Sequence, residues 1–280
     1  MFGLCFQAIG MAIIGPIFLV IHLTMSPTVS TPSAANLTVP PNELLALPFS
    51  VSTGFIIPTI LMSLDAPTYL THSQKAFFVR LWQIFPTLCY LSQHVWKRVL
   101  PVRMSSRPAD IEHQLRLLNK VYFFGTTCAS VTHVGTWMLS LTAYAFPSLF
   151  APQMVPYLLP AQVFVPAMPW SNVKANSLAT GVHWFLQWDE LLTSFMYLLW
   201  ACSLLIKTRQ ILGRTTGIVG EVLGLMGSAL FVGPAGAALV AVQDRDGIVF
   251  GQASKDERER FASHAAAAAT ARKDKPVTAS

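Results

Sequence analysis

Long apolar segments that are almost free of charge run through this sequence, and they constrain its fold more than any other feature. Only 11% of its 280 residues are charged, less than half of the roughly 25% expected in a soluble globular domain. Many of those charges fall after residue 242, so the rest of the chain is almost uncharged. With a mean hydropathy of +0.50, the sequence excludes a soluble enzyme and predicts a helical membrane protein.

The composition also excludes several other classes of protein. The abundance of apolar residues (53%) is incompatible with intrinsic disorder, and four cysteines without a Cys-x-x-Cys pair indicate neither a disulfide framework nor a zinc site. The net charge of +6 comes largely from basic residues between apolar segments, where membrane orientation explains them, so we expect no nucleic-acid partner. No Asp-Asp-x-x-Asp run that could hold magnesium and a diphosphate is present, and we expect neither a metal nor a cofactor.

Six segments reach the length of about 20 apolar residues that a helix needs to cross a bilayer. They are residues 3–25, 44–64, 76–96, 121–145, 182–206 and 217–242. We therefore predict an all-α, multi-pass transmembrane bundle of six or seven spans over residues 1–242, followed by a polar, disordered tail over residues 243–280. No basic residue precedes the first segment, which favours a retained span over a signal peptide. The proline-rich residues 146–181 cannot sustain a spanning helix, and we expect them to form an interfacial cap or re-entrant loop.

Basic residues in the loops give conflicting indications of orientation. Nine lie in two loops that six spans would place on one side of the membrane: Lys97, Arg98, Arg103, Arg107, Arg116, Lys120, Lys207, Arg209 and Arg214. This excess predicts that their side faces the cytosol. The partly basic tail would then lie on the opposite side, and the sequon at Asn36, a weak candidate for N-glycosylation, would face the cytosol. The sequence leaves this conflict open.

Polar residues within the predicted spans recur at helical spacing, so each set falls on one face of its helix. The fifth span carries the most complete set, His183, Gln187, Glu190, Ser194 and Tyr197. The third span carries Arg80, Gln83, Thr87, Tyr90 and His94, and the fourth carries Thr126, Ser130, His133, Trp137 and Ser140. Ionisable groups in a bilayer are costly and normally mark function. We therefore predict substrate contacts from His183, Gln187, Tyr197, Arg80, Gln83, Tyr90, His94, His133 and Trp137. Hydrogen bonding between helices is the alternative explanation, and Arg80 could instead snorkel to the interface.

Four carboxyl groups are candidates for acid chemistry: Asp189 and Glu190 in the fifth span, Glu221 in the sixth, and Asp65 just after the second. Burial disfavours the charged form of a carboxyl, so an embedded one can stay protonated and serve as a general acid. The numerous aromatic side chains could stabilise a carbocation. Glu221 lies among Gly217, Gly224 and Ser228, a small-residue face that predicts close helix packing, and Asp65 could simply end its helix.

Three short stretches carry a resemblance to a known family. They are residues 6–12 (FQAIGMA) with Pro16 and His22, residues 54–59 (GFIIPT), and residues 183–189 (HWFLQWD). On these residues the chain resembles the integral-membrane terpene cyclases of fungal meroterpenoid pathways, in particular the ascofuranone/ascochlorin type.

The resemblance implies a metal-independent cyclase of the endoplasmic reticulum membrane. It implies protonation of the terminal epoxide or alkene of a farnesyl chain attached to an aromatic or polyketide core, in an isomerase- or lyase-type reaction. It also implies an embedded carboxyl as the acid, which we carry onto Asp189 and Glu190.

Two other functions stay open from the residues alone. A non-enzymatic transporter or lipid-binding protein would use the polar faces to line a path, although the sequence shows neither inverted repeats nor matching broken helices. A membrane enzyme similar to the sterol isomerases would shift protons in such a cavity without forming a ring. For the cyclase, the expected partners are a lipid-soluble prenylated or epoxyfarnesyl substrate and membrane lipid.

Overall fold

The computed structural model describes residues 2–100, 111–214 and 217–273, and these residues form helices and connections without any β-strand. The α-helices are α1 (Phe2–Ile9), α2 (Met11–Met25), α3 (Pro27–Ser30), α4 (Ala34–Leu37), α5 (Pro41–Val51), α6 (Ile57–Ser63), α7 (His72–Gln83), α8 (Phe85–Val99), α9 (Ile111–Ala145), α10 (Val155–Leu158), α11 (Pro160–Phe164), α12 (Leu178–Ile211) and α13 (Ile218–Lys273). A π-helix, Ser52–Ile56, joins α5 to α6, and a 3-10 helix covers Pro147–Leu149. The predicted all-α class is confirmed over these ranges. Two of the basic residues used to predict orientation, Arg103 and Arg107, lie outside them.

Three segments of the described chain are long and apolar enough to cross a membrane, rather than the six that the sequence predicted. They are Ala34–Ser63, which contains α4 to α6, Leu178–Ile211, which is α12, and Ile218–His264 within α13. These segments correspond to the second, fifth and sixth predicted spans. Each of the other three predictions fails for a physical reason that the structure makes visible.

The first and third predicted spans are each divided into two shorter helices. The break in the first lies at Gly10, whose φ of 106° is accessible at little cost only to glycine. The break in the third lies at Ile84, directly before α8, because Pro86 in the first turn of α8 has no N–H to continue the hydrogen bonds of α7, and its ring would clash with a carbonyl of the preceding turn. As a result α2 and α8 have 15 residues each, about 22 Å of helix and less than the hydrocarbon thickness.

The fourth predicted span lies within α9, a continuous helix of 35 residues. This helix is long enough to cross a bilayer, but it is not among the apolar segments. Threonine, serine and histidine recur along it between residues 126 and 140 and lower its hydropathy. The prediction was therefore correct about the helix and wrong about its apolar character.

Helix α13 turns back on itself at Gly233, where φ is 77° and the backbone is not helical. Pro234 follows directly and can start the next turn of helix, because a helix start leaves its first N–H groups unpaired in any case. Glu221 and Asp244, on opposite sides of Gly233, line the same cleft, whereas a straight helix would separate them by about 34 Å. The segment that contains the sixth predicted span is therefore a helical hairpin rather than one straight helix, with a first arm over residues 218–232 and a second arm that begins at residue 234.

The interior lies along the second arm of α13, which packs against both α9 and α12. One cluster of buried side chains consists of Leu37, Leu44, Leu117, Leu118, Val249 and Phe250. A second consists of Ala201, Leu205, Ala238 and Ala241, and its three alanines let α12 and α13 approach closely. Arg245 and Asp246 are also buried, so the packed interior continues beyond residue 242, where the sequence predicted a polar tail.

A close helix crossing fixes the N-terminal half of the bundle. In the π-helix, a Cβ added to Gly54 would lie only 2.5 Å from the backbone nitrogen of Cys89 in α8. Glycine is thus required there for the backbones to touch. The indole nitrogens of Trp82 and Trp96 donate to the hydroxyls of Thr59 and Thr53, at 2.9 and 3.3 Å, on either side of this crossing. The second resembling stretch, residues 54–59, therefore begins at a packing contact.

Candidate functional site

The polar face of α12 binds the proline-rich connection between α9 and α12. His183 Nε2 lies 3.1 Å from the carbonyl oxygen of Gln162, and Gln187 Nε2 donates to the carbonyls of Gln162 and Val163 at 2.9 and 2.8 Å. Trp188 Nε1 donates to the carbonyl of Ala167 at 2.9 Å. Proline leaves a segment short of backbone donors, so its carbonyls need side-chain partners. Two of the predicted substrate contacts, His183 and Gln187, therefore bind the proline-rich segment.

Helix α9 holds the same segment from its other side. Ser140 Oγ donates to the carbonyl of Leu158 at 2.7 Å. The ring of Trp137 stacks on that of Phe164, with centroids 4.0 Å apart. His133, one turn before Trp137, packs against the hairpin turn, because a Cβ added to Gly233 would lie 2.9 Å from His133 Cβ. These polar residues of the predicted fourth span therefore contact other parts of the protein.

Asp189 is the predicted site residue with the most distinctive surroundings. Its Oδ1 accepts a hydrogen bond of 2.8 Å from the backbone N–H of Ala12, which is 177 residues away in the chain. Ala12 is the second residue of α2, and Gly10, which precedes the helix, offers no side chain to cap it. The carboxyl of Asp189 therefore supplies the N-terminal cap of α2 from another helix.

The backbone at Gly10 makes this contact possible. A Cβ added to Gly10 would lie 3.3 Å from Asp189 Oδ1 and 3.4 Å from the ring of Phe185. The absence of a side chain thus lets the start of α2 approach α12. Asp189 is half-buried, and its Oδ2 makes no hydrogen bond to any described residue. One oxygen of this carboxyl is held in place, and the other is free.

Glu190 and Asp65 lie on the outside of the protein. Glu190 is exposed, and its Oε1 accepts from Ser194 Oγ, one turn further along α12, at 2.9 Å. Asp65 is exposed after α6 and accepts from the hydroxyl of Thr68 at 2.7 Å. The Asp65 contact closes a turn, as expected for a residue that ends a helix. The adjacent carboxyls Asp189 and Glu190 therefore face different surroundings.

Glu221 is paired with a cation at the start of the α13 hairpin. Its carboxylate binds the guanidinium of Arg209, near the end of α12. Glu221 and Asp244 line a cleft of about 270 Å³ between α12 and the two arms of α13. A Cβ added to Gly217 or Gly224 would meet no described atom within 4 Å. The small-residue face around Glu221 is therefore open, and the predicted close packing is not observed.

The other predicted substrate contacts are scattered. Arg80, Gln83, Tyr90 and His94 are all exposed along α7 and α8. Arg80 Nε donates to the carbonyl of Ala76 in its own helix at 3.1 Å, and the rings of Tyr90 and His94 lie edge to face at 4.5 Å. Tyr197 lies edge to face with Trp200 on α12. Asn36, the predicted glycosylation site, is exposed and donates to the carbonyl of Thr31 at 2.8 Å.

A buried polar network that the sequence did not predict joins three helices, α3, α9 and α13. Arg245, on the second arm of α13, is only 4% exposed and Asp246 only 5%. Arg245 Nη1 donates to Asp246 Oδ1 at 2.6 Å, and Arg245 Nη2 donates to the carbonyl of Thr28 in α3. The hydroxyl of Tyr122 in α9 donates to Asp246 Oδ2 at 2.6 Å. A charge placed in the interior needs such partners, and here each oxygen of Asp246 has one.

The network continues to α2 and α12 through His22. Trp200 Nε1 donates to His22 Nδ1 at 3.2 Å, and His22 Nε2 lies 3.4 Å from Thr28 Oγ1. An indole N–H can only donate, so Nδ1 of His22 must be its unprotonated nitrogen. Nε2 then carries the proton and faces the Thr28 hydroxyl. Local sequence around His22 indicates a polar residue, but its partner Trp200 lies 178 residues away in the chain and could not be predicted.

Ion pairing separates the carboxyls of the described chain into two groups. Glu43 binds Lys97 at 2.6 Å, Glu221 binds Arg209, and Asp246 binds Arg245. Among the carboxyls of the described residues, Asp189 alone combines shielding from solvent with the absence of an ion pair. Within the same ranges, no three His, Cys, Asp or Glu residues are grouped closely enough to hold a metal ion.

Comparisons with known proteins place these residues in a family. The CtvD domain model matches residues 1–250. Terpene cyclase ascI of Acremonium egyptiacum is 30% identical over 252 residues, which cover 89% of this chain and 62% of the relative. Terpene cyclase penA of Penicillium crustosum is 30% identical over 200 residues, covering 71% and 52%. Terpene cyclase ctvD of Aspergillus terreus is 28% identical over 206 residues, covering 72% and 54%. No solved structure matches the chain.

These relatives are longer than the chain, which spans about half to three fifths of their length. The matched region nevertheless includes α1 to α12 and the buried part of α13. It also includes Asp189 and the Arg245 network. In agreement with the resemblance found in its sequence, the chain belongs to the CtvD domain family.

Proposed function

We propose that the chain is a terpene cyclase of the endoplasmic reticulum membrane, which cyclises the farnesyl chain of a meroterpenoid precursor without a metal ion. Three lines of support lead to this function. The relatives of the chain are named terpene cyclases. Its apolar segments suit a lipid-soluble substrate. Its helices partly bury a carboxyl that makes no ion pair with any described residue, that of Asp189.

The geometry of Asp189 carries the proposal, because an acid needs a proton and a free oxygen from which to donate it. When Asp189 is protonated, Oδ1 keeps the hydrogen bond from the Ala12 N–H and Oδ2 holds the proton. The carboxyls of Glu221 and Asp246 are each bound to an arginine and are therefore already engaged. Asp189 is therefore the preferred acid.

Protonation by Asp189 starts a sequence of steps that conserves mass. The proton moves from Oδ2 to the terminal epoxide oxygen, whose C–O bond breaks, or to a terminal alkene carbon. The electron-deficient carbon is attacked by the next double bond of the farnesyl chain, which closes a ring. Loss of a proton from the final cation ends the reaction and restores the proton that was used. Aromatic faces such as that of Phe185, beside Gly10, suit the intermediate cation.

Glu190 remains the second candidate for the acid, with Glu221 and Asp65 after it. Glu190 follows Asp189 directly but is exposed, so nothing in the described chain excludes solvent from it. Glu221 would first have to leave Arg209. Asp65 already accepts a hydrogen bond from Thr68 on the surface. The predicted contacts His183 and Gln187 act by shaping the site, because they hold the proline-rich segment.

The test uses Asp189→Asn, with Glu190→Gln as its matched control. Asparagine retains an oxygen to accept from the Ala12 N–H, so this change removes the acid and keeps the cap. Microsomes containing each full-length variant are supplied with an epoxyfarnesyl aromatic substrate, and the products are separated by mass spectrometry. We expect the native protein to give an isobaric cyclic product, with or without a metal chelator. Turnover should fall about 100-fold or more in Asp189→Asn and much less in Glu190→Gln.

Three results would contradict the proposal. Unchanged turnover in both variants would exclude these carboxyls as the acid. An isobaric product with a shifted double bond and no new ring would indicate an isomerase similar to those that act on sterols. Accumulation of unchanged substrate across the membrane, without any product, would indicate a transporter or lipid-binding protein.

A further inference from the structure

Helix α2 lies along α12 in a defined register. The N–H of Ala12 meets Asp189, a Cβ added to Gly15 would lie 3.6 Å from Met196 Cε, and His22 accepts from Trp200. The two helices thus run in the same direction, since higher numbers in α2 meet higher numbers in α12. This register determines which N–H of α2 faces the Asp189 carboxyl.

The register is secured at the far end of α2. Thr28, three residues beyond α2, receives through its carbonyl the Nη2 donor of Arg245. The other side of the Arg245 guanidinium binds Asp246, which in turn binds Tyr122 of α9. The end of α2 is therefore attached to the packed pair of α9 and α13, which forms most of the interior.

This attachment is strong because it is both charged and shielded from water. Hydrogen bonds to ionised groups are about twice as strong as those between neutral groups. Arg245 and Asp246 are almost completely buried, so neither is screened by solvent. Beyond the Asp189 carboxyl, the contacts that set the register of α2 on α12, at Gly15 and His22, involve neutral groups. Arg245 is therefore the charged tether of α2.

We propose that Arg245 is a positioning residue, which fixes the register of α2 on α12 and thereby holds the Ala12 N–H against the carboxyl of Asp189. This inference rests on the proposed role of Asp189 as the acid. Without the tether, α2 can slide along α12, and one residue of sliding displaces the helix start by about 1.5 Å. A misplacement of about 1 Å in a catalytic group can reduce turnover about 100-fold.

The test removes the tether without leaving a buried charge. In the double variant Arg245→Met, Asp246→Leu, apolar side chains replace both members of the pair, a change that often leaves a protein folded. The matched control is Lys97→Met, Glu43→Leu, which removes the ion pair between α8 and α5. The control pair joins α5 to α8, which pack against each other.

The first measurement reads the register directly and does not require turnover. Gly15→Cys and Met196→Cys are introduced into a chain whose four native cysteines are replaced by alanine, and a short bifunctional thiol reagent joins them. The chain is then cleaved between residues 15 and 196. The two fragments stay joined only where the cross-link has formed, so the share of joined fragments gives the cross-linked fraction. We expect efficient cross-linking in the unmodified and control backgrounds and a loss of at least about half in the Arg245/Asp246 variant. Equal cross-linking in all three would overturn the proposal.

The second measurement is steady-state turnover of the epoxyfarnesyl substrate. We expect kcat to fall about 100-fold in the Arg245/Asp246 variant with little change in KM, and the control variant to keep near-native turnover. The milder change Tyr122→Phe, which keeps the tether to Thr28, should retain both cross-linking and most of the turnover. Lost cross-linking with native kcat would overturn the positioning role.

The two measurements also separate this inference from the proposed function. If the native protein gives no cyclic product, the cyclase proposal fails, while cross-linking still shows whether Arg245 sets the register. If the native protein cyclises the substrate and the tether proves irrelevant to register, only the inference about Arg245 fails.

Discussion

One carboxyl group lies near each end of helix α2, and the two differ in how many hydrogen-bond partners they have. At its start, Asp189 is half-buried, accepts a single hydrogen bond from Ala12 and has no cationic partner among the described residues. Near its end, Asp246 is buried and fully partnered, with Arg245 on one oxygen and Tyr122 on the other. Both carboxyls lie among apolar helices, yet only Asp189 keeps an oxygen free.

The difference shows what pairing does to an acidic residue in an apolar interior. Arg245 and Tyr122 each donate to one oxygen of Asp246, so this carboxyl connects helices and has no free oxygen. Asp189 accepts only one hydrogen bond, from the start of α2, which leaves its second oxygen free for chemistry. Structural and reactive roles of carboxyls can thus be separated by their partners, and three substitutions test the separation.

The largest effect is expected from breaking the Arg245–Asp246 pair on one side only. Arg245→Ala leaves the Asp246 carboxylate buried without a cation, a change that typically costs about 3–5 kcal/mol. We expect a large loss of folded protein and a much lower midpoint of thermal unfolding in detergent micelles. Lys97→Ala, which removes the cation of a more exposed pair, should cost far less. Equal losses in the two variants would mean that burial does not distinguish the pairs.

An intermediate effect is expected from Tyr122→Phe. The phenol donates to a charged acceptor at 2.6 Å, and such hydrogen bonds contribute about 1.5–3 kcal/mol. The ring itself is retained, so any loss of stability reports on the hydroxyl. Unfolding in detergent should show a moderate decrease in stability. A variant as stable as the native protein would mean that Asp246 does not depend on Tyr122.

The smallest effect on stability is expected at Asp189, despite its large expected effect on turnover. Asp189→Ala removes the cap of α2 and should cost about 0.5–2 kcal/mol, while Asp189→Asn retains an acceptor and should cost much less. Both should lack cyclase activity if Asp189 is the acid. The comparison of unfolding and turnover in the same preparations decides this. A strongly destabilised Asp189→Asn would show that the charge, rather than the cap, holds α2.

The sequence was most informative where apolar length alone decides the structure. Residues 182–206 were predicted to span the membrane and lie within α12, which runs without a break from Leu178 to Ile211. The predicted first span was equally apolar, but Gly10 divides it into two helices because its φ is positive. Hydropathy carries no information about backbone φ, so it could not predict this break. The sequence did contain turn signals at Pro86 and at Gly233–Pro234, where the helices break. Hydropathy averaged over the length of a span does not detect such single residues.

Helical spacing identified which polar residues share a face but not what that face contacts. His183 and Gln187 do lie on one face of α12, and both bind the proline-rich segment. The sequence could not show this, because their partners are backbone carbonyls, which every residue carries. Asp189 was predicted as an acid, but its cap on α2 depends on a contact across 177 residues.

The buried Arg245 network was missed for a different reason. Asp244, Arg245 and Asp246 are charged and follow the last predicted span, which is the usual pattern of a solvated tail. The apolar residues 247–250 that follow them were a signal that the interior continues. Only the packing of Val249 and Phe250 against Leu117 and Leu118 shows that these charges lie inside the fold.

The hairpin turn at Gly233 has a consequence for the sidedness of the membrane. Because the two arms of α13 run side by side, the connection after α12 and the residues that follow Asp244 lie at the same end of the hairpin. A membrane crossed by α12 would therefore leave the basic residues Lys207 and Arg214 on the same face as the charged residues 255–260. Six straight spans would have placed these two sets on opposite faces. The turn removes that conflict, so a single glycine allows both basic regions to face the cytosol.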